Sequence, residues 1–330
     1  MHIGNEEKNK LAIVIPFFKI NFFEATLLSL ANQTNHDFNL YIGNDGSNDD
    51  PLPLIKSILD NKGLNYRYYN YDKNLGSINL SFSWKRIVNE IDDENYVLIL
   101  GDDDYLQDNF VKAFYDTVQQ TKILPITLVR FCAQMVDDKG KHIGKRSTYP
   151  PIIPFQNFTK ELFSRKIRTS LSENIFSVHH FKKHGFKPYP IGWFTDTMLW
   201  LNLCYPVPTI SCADTTVFTR VGSTNISGNS QLSDIKNLSG LLYHLDVLES
   251  FSLDETVKKD VIQHLIYFLN KNKFSDFYIK RRIFRAKNLI LRQRIYFITL
   301  YFYKYIKYYK HYRRKHIKSL IRTYVNQNTR

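Results

Sequence analysis

Cysteine is nearly missing from this 330-residue sequence: Cys132, Cys204 and Cys212 are odd in number and show no C-x-x-C spacing. Neither a disulfide framework nor a structural zinc site is indicated, and a reducing cytosol is the simplest setting. Glycine and proline are also sparse, at 13 and 11 residues, and with 43% apolar and 23% charged residues the composition excludes a fibrous or disordered chain. No stretch reaches the roughly 20 uninterrupted apolar residues of a membrane span. The first ten residues, MHIGNEEKNK, lack the apolar core of a secretory signal, so a protein made and kept inside the cell is expected. No internal repeat is found at any useful period.

Negative charge is scarce in one region only. Residues 271–330 hold 18 Lys/Arg against one acid, Asp276, which puts +17 of charge there and leaves residues 1–270 at −3, within a total of +14. A slightly acidic body with a strongly basic end is not the even footprint of a nucleic-acid-binding domain.

The first 125 residues alternate β-rich runs with helical patterns. The runs are Leu11–Phe17, Phe38–Ile42, Leu64–Tyr69 and Tyr96–Leu100, and the helical segments Asn21–Asn32, Leu52–Leu59, Ile78–Ile91 and Asn109–Gln120. This βα alternation predicts a parallel sheet covered on both faces, with chemistry just after Phe17, Ile42, Tyr69 and Leu100. From Ile126 the pattern changes to a strand, a turn at Asp137–Gly140 and a short return strand, so the sheet becomes mixed. A Pro-rich connector, Tyr149–Phe155, follows. Helical patterns come next at Asn157–Lys166, Val178–Lys183 and Asp196–Cys204, then a β-like run at Thr209–Val221 and helix beyond Gly228.

Two acidic clusters stand at strand ends. Asp102, Asp103 and Asp104 follow Gly101 and the run Tyr96–Leu100. Three adjacent carboxylates repel one another, which a hard divalent cation would relieve while leaving positions open for phosphate oxygens. A solvated acidic turn is the competing reading. The second cluster, Asn44 to Asp50, follows Phe38–Ile42. There Asp45 could accept from a nucleotide base and Gly46 permits a sharp turn; an Asx turn capping the helix near Leu52 would need the same residues.

Taken in order and spacing, AIVIPFF (12–18), NDGSNDD (44–50), NLG (74–76) and LGDDDYL (100–106) resemble the family 2 glycosyltransferases of bacterial surface-polysaccharide type, which have the nucleotide-diphospho-sugar (GT-A) fold. The likeness covers approximately residues 10–225, because SVHHFKKHGFKPYPIGWFTDTMLWLNL (177–203) is similar to the family's acceptor-side segment. It implies α/β architecture, a Rossmann-like mixed sheet with a helical C-terminal extension. The expected catalytic domain is 1–228, with a nucleotide-sugar half at about 10–125 and an acceptor half at about 126–228. Residues 229–330 form the helical, basic-aromatic remainder.

The resemblance also implies roles. Pro16 and Phe17 flank the nucleotide, Asp45 accepts from its base, Asn74 and Gly76 belong to the same pocket, and the trio supplies the D-x-D function. Gly101 stands where the family often has its first Asp, so Asp102 is expected at the ribose and Asp103 and then Asp104 at Mn2+ or Mg2+. The family's Arg-Asn pair after Asn-x-Gly is absent, leaving Lys85 or Arg86 for a phosphate contact. Inverting transfer needs a base for the acceptor hydroxyl, and Asp196 fits by position, with Thr195 replacing the first member of the family's acidic pair. Capping of its own helix is the alternative. Trp193 and Phe194 could stack on a sugar or pack in the core. Arg220, in TRVGSTNISG (219–228), could meet the diphosphate or form a surface salt bridge. His179, His180 and His184 on a basic helix read as exposed side chains rather than a metal site.

In IYFITLYFYKYIKYYKHYRRKHI (295–317), Lys304, Lys307, Lys310 and Arg314 share a helical face amid Phe302, Tyr305, Tyr309 and Tyr312. This suits an anionic membrane surface, or a helix packed on the body; nucleic acid is disfavoured by the acidic body. The expectation is a metal-dependent, inverting glycosyltransferase, cytoplasmic and peripheral on the inner face of the membrane. It would move a sugar from a UDP-type donor to a hydroxyl of a lipid-linked or surface glycan, as in polysaccharide or lipopolysaccharide assembly. A nucleotidyltransferase of similar fold would want a Gly-rich basic loop where Pro16–Lys19 stands, and a non-catalytic membrane or nucleic-acid adaptor would not need the acidic clusters.

Overall fold

Leu11–Phe17 form the first strand, β1, and the side chains from Leu11 to Ile15 are all buried. Burial on both faces is what a continuous apolar run dictates for a central parallel strand. In this computed structural model, which describes residues 10–121, 125–222, 226, 229–271 and 282, the chain continues through α1 (Phe23–Ala31), β2 (Phe38–Asn44), α2 (Leu52–Leu59), β3 (Tyr66–Asn70), α3 (Leu80–Val88) and β4 (Tyr96–Ile99). β1 pairs in parallel with β2 on one side and β4 on the other, and β2 with β3. The chain therefore steps outward from β1 to β3 and returns across β1 to β4. That reversal makes a topological switch point at the carboxyl ends of β1 and β4.

The next elements are β5 (Tyr105–Leu106), α4 (Phe110–Gln120), β6 (Leu128–Val136), β7 (His142–Ile143), β8 (Ile152–Ile153) and α5 (Phe155–Phe163). After them come β9 (Asn174–Ser177), α6 (Val178–His184), α7 (Thr195–Leu203), β10 (Thr209–Arg220), α8 (Ser233–Ser250) and α9 (Glu255–Lys271). The strands form one ten-stranded sheet in the order β3-β2-β1-β4-β9-β6-β10-β5, with β7 beside β6 and β8 beside β10. β6 and β7 make the expected hairpin. The mixing also has a second source, because β9 lies antiparallel between β4 and β6 in the middle of the sheet. Its four residues, NIFS, are buried throughout and too short to announce themselves by periodicity. The Pro-rich 149–155 segment, expected as a plain connector, contains β8, which pairs with the start of β10.

Contacts divide the chain into two compact units. The first comprises residues 1–155, 169–186 and 199–228, and the second 156–168, 187–198 and 229–330. In the first, Leu11, Ile13, Ile15 and Phe17 of β1 share a core with Phe23, Leu27 and Leu30 of α1, Ile55 and Leu59 of α2, and Phe110 and Phe114 of α4. At roughly 1.5–3 kcal/mol for each large apolar side chain fully buried, this core fixes the strand ends that bear the polar loops. β10 changes register against β6 between Cys212 and Thr216. Arg146 fills the irregularity by donating to the carbonyls of Ala213 and Thr215 at 2.6 and 2.8 Å.

In the second unit α9 presents Val257, Val261, Leu265 and Leu269 as a buried stripe, and α8 packs on this helix. Gly240 of α8 allows the close approach, since a Cβ there would lie 2.5 Å from the Phe268 ring. Among the described residues no helix is long and apolar enough to cross a membrane. The basic-aromatic segment 295–317 lies outside the described residues.

Candidate active site

The carboxyl ends of β1, β2 and β4 bring the two acidic clusters into one region of the first unit. Asp102 reaches the loop after β1, where its Oδ2 accepts the backbone N–H groups of Phe18 and Lys19, each at 2.7 Å. The Ser47 hydroxyl, after β2, donates to the Phe18 carbonyl at 2.7 Å, and Asp49 accepts from the Ile20 N–H at 3.2 Å. The β1 loop is thus clasped from both sides at the switch point. Pro16 is half-buried there, Phe18 exposed, and the Phe17 ring is buried against Phe23 with centroids 4.7 Å apart.

Asp103 and Asp104 continue the turn, which the Asp104 N–H closes on the Gly101 carbonyl at 3.2 Å. Asp104 is buried: Ser172 donates to its Oδ2 at 2.5 Å and the Arg220 N–H to its Oδ1 at 2.8 Å. Burial first, then the charge of Asp103, hold the Asp104 carboxyl well above the ordinary carboxylate range. The same two causes, in the same order, raise Asp102 to about 6, against the pull of the Lys19 and Phe18 N–H groups. Gly101 has a steric reason to be glycine. A Cβ there would sit 3.0 Å from Asp103 Oδ1 and 3.1 Å from Asp104 Oδ2. Its N–H is taken by the Ser172 hydroxyl at 3.0 Å.

Asp45 follows directly on β2 and is buried. Its Oδ2 accepts from the Gly76 N–H at 2.7 Å, and its Oδ1 accepts from the Leu75 N–H at 3.2 Å and pairs with Arg86. Arg86 also donates to the Lys73 carbonyl at 3.0 Å and lies over the Tyr71 ring, 3.8 Å from its centroid. Gly46, at φ +68, brings the turn against the Asn74 backbone, where a Cβ would meet the Asn74 nitrogen at 2.8 Å. Asn74 closes its own turn by accepting from the Ser77 N–H at 2.8 Å. Lys85, the neighbour of Arg86, is exposed on α3.

Arg220 closes the far side of the trio. Its guanidinium donates to the carbonyls of Asp103 and Asp137 at 3.2 and 2.6 Å and stands 4.1 Å from the centroid of the Phe22 ring. Neither Phe22 nor Ser172 carried a signal legible in the sequence. Ser172 precedes β9, and only the pairing of that strand with β4 brings it to the trio.

Asp196 and Trp193 belong to the second unit. Asp196 is the second residue of α7, half-buried, and its Oδ1 accepts from the Thr197 N–H at 2.7 Å and hydroxyl at 3.3 Å. Burial raises its carboxyl to about 6, opposed by those Thr197 bonds. The loop before α7 is left-handed at Ile191, Gly192 and Phe194, with φ of 54, 79 and 70. Thr195 earns its place by geometry: its hydroxyl donates to the Lys187 carbonyl at 2.8 Å and accepts the Tyr189 N–H at 3.3 Å. Phe194 is stacked on Tyr243, centroids 4.7 Å apart. Trp193 is half-buried beneath the Lys236 ammonium, 4.8 Å from the ring centroid. Among the described residues no three His, Cys, Asp or Glu side chains converge as a ready cage for an ion, and this includes His179, His180 and His184.

A parallel half-sheet with acidic loops at its switch point, continued by a mixed half, is the architecture of a GT-A nucleotide-diphospho-sugar transferase. Residues 12–186, more than half the chain, match the family described as glycosyl transferase family 2. The chain belongs to that family and is a glycosyltransferase. Among solved structures it is similar to S. aureus TarS 1–349 in complex with UDP-GlcNAc, with TM-score 0.58, 15% identity, and coverage of 89% of this chain and 81% of that one. Against S. aureus TarS in a longer form the TM-score is 0.59 at 16% identity, covering 91% of this chain and 54% of that one, so the chain spans about half of it. The mannosyltransferase PcManGT from Pyrobaculum calidifontis, in complex with GDP-Man and Mn2+, gives 0.53 at 10% identity, with 91% and 86% covered. At such identities the likeness shows the fold. No curated protein matches the chain by sequence.

Proposed function

We propose that this glycosyltransferase is metal-dependent and inverting, and transfers a sugar from a UDP-type donor to a hydroxyl of a lipid-linked or surface glycan. The observation that carries the reading is the trio at the switch point, where Asp102, Asp103 and Asp104 crowd one turn beside Gly101 and burial, then the charge of Asp103, raises both neighbouring carboxyls. Such a donor set suits a hard divalent cation. Mn2+ or Mg2+ commonly takes only one or two protein carboxylates and fills its remaining positions with phosphate oxygens and water, so a three-side-chain cage is not required. Asp103, with Asp104 second, would hold it; when bound, the ion offsets charge on the departing diphosphate.

The remaining roles fall to the chain itself. Asp45, whose oxygens are held by Gly76, Leu75 and Arg86, is the residue assigned to accept from the base. Asp102 fixes the β1 loop and stands at the ribose. Asp196 takes the acceptor hydroxyl's proton as that oxygen bonds to the anomeric carbon; the bond to the diphosphate oxygen breaks and its electron pair leaves with the diphosphate. The UDP preference draws on the complexes of S. aureus TarS, and the ion on that of PcManGT. Thr195 does not supply a second carboxylate, so proton removal falls to Asp196 alone. The basic segment 295–317 would hold the enzyme at an anionic membrane beside its acceptor.

Calorimetry with UDP-GlcNAc, UDP-glucose, GDP-mannose and their free diphosphates, with and without Mn2+, tests donor and metal together. We expect Mn2+ to tighten one nucleotide at least tenfold and Asp103→Ala to abolish that gain while leaving the melting temperature within a few degrees. Equal affinities with and without Mn2+ across the panel would end the metal reading.

A further inference from the structure

Asp246 on α8 is 2% exposed and gathers three donors from two distant stretches of chain. Its Oδ2 accepts the Tyr189 hydroxyl at 2.5 Å and lies 2.7 Å from the Lys187 ammonium, while Arg282 pairs with its Oδ1 at 2.5 Å. Arg282 also pairs with Glu249, at 2.6 Å, one turn further along α8. A carboxylate taken out of water is strongly destabilising unless matched by charge and hydrogen bonds. The position of Asp246 therefore depends on Lys187, Tyr189 and Arg282 arriving together.

Lys187 and Tyr189 open the loop that ends at Thr195 and delivers Asp196. Ser239, two helical turns before Asp246 on the same face of α8, donates to the Pro190 carbonyl at 2.8 Å. The loop keeps Ile191 and Phe194 at φ 54 and 70. For residues with a Cβ, such conformations are unfavourable and persist where the surroundings over-determine them. The two α8 anchors, with Phe194 stacked on Tyr243, supply that over-determination.

We infer that Asp246 is a positioning residue for Asp196: through Lys187 and Tyr189 it holds the left-handed loop that presents the base. Arg282 completes the anchor, so turnover depends on chain beyond α9 even with no membrane present. The inference rests on Asp196 being the base.

The test uses the full chain and follows release of nucleoside diphosphate from UDP-GlcNAc, UDP-glucose or GDP-mannose, whichever binds tightest, with Mn2+ and water as acceptor. Tyr189→Phe removes one hydroxyl and Arg282→Ala one partner, so both should fold. Each is expected to lower kcat about tenfold with the donor KM and calorimetric Kd within twofold of the parent, and Arg282→Lys to restore most of the loss. Combined with Asp196→Asn, Arg282→Ala should cause no further fall, because both act through one carboxylate. Parental kcat in Tyr189→Phe and Arg282→Ala, beside an inactive Asp196→Asn, would overturn the inference and leave the base reading intact. So would a further tenfold fall in the double variant. Undiminished turnover in Asp196→Asn would remove the base reading, and the inference with it.

Discussion

With Asp196 as the proposed base, the pH dependence of turnover follows from its half-buried carboxyl. Burial lifts Asp196 to about 6, and the Thr197 N–H and hydroxyl temper the rise. A base works in its ionised form, so about nine tenths of the enzyme is competent at pH 7 and about one tenth at pH 5. Log kcat should fall with unit slope below pH 6, whereas an ordinary aspartate would keep it level down to about 4. The assay is nucleoside diphosphate release at saturating donor and Mn2+ between pH 4.5 and 8, with donor Kd measured at each pH to separate binding from turnover. Thr197→Val removes the hydroxyl donor and keeps the N–H, and should move the midpoint upward by a fraction of a unit. The sign for stability runs opposite to that for activity. A carboxyl raised in the folded state stabilises the fold below its unfolded value near 4, and that contribution is lost as pH climbs through 6. Asp196→Asn should therefore be inactive yet melt no lower than the parent at pH 8. A level kcat from pH 5 to 7, or an Asp196→Asn protein that melts lower at pH 8, would refute the reasoning.

Other perturbations act on the scaffold and the tail. Arg130 and Glu173 form a buried ion pair at 2.7 Å, so Glu173→Ala leaves a buried charge and should cost about 3–5 kcal/mol in urea unfolding, with Arg130→Met/Glu173→Leu regaining much of it. In α8, Gly240→Ala should lower the melting temperature: a Cβ 2.5 Å from the Phe268 ring costs about 1–3 kcal/mol of overpacking, against about 1 kcal/mol gained in helix propensity. Replacing Lys304, Lys307, Lys310 and Arg314 together by Ala should abolish co-sedimentation with phosphatidylglycerol vesicles; unchanged binding would discard the membrane role.

The sequence was most legible where pattern and position coincide locally. β1 has the expected limits, Leu11–Phe17, and α2 the expected Leu52–Leu59, because a continuous apolar run and a Pro-flanked helical pattern are local signals. The acidic clusters were visible as clusters and their place at strand ends followed from the βα alternation. What they touch was not visible. Asp45 meets Arg86 across 41 positions of sequence, and Asp104 meets Ser172 across 68, pairings that arise only once strands assemble. Gly101 read as a departure from a motif; in space it is the clearance that two carboxylates need. Asp246 had no sequence signal at all, since an acid inside a helical pattern reads as solvated surface until its donors arrive.

The antiparallel strand β9 has a consequence for synthesis. Tyr96 of β4 pairs with Ser177, and Leu128 of β6 with Phe176, so the middle of the sheet stays open until that late segment has emerged. Through some eighty residues of elongation the nascent polypeptide presents β4 as a naked hydrogen-bonding rim, the kind of edge that recruits foreign strands. The ribosome-bound intermediate, rather than the finished enzyme, is then the species most in need of a chaperone.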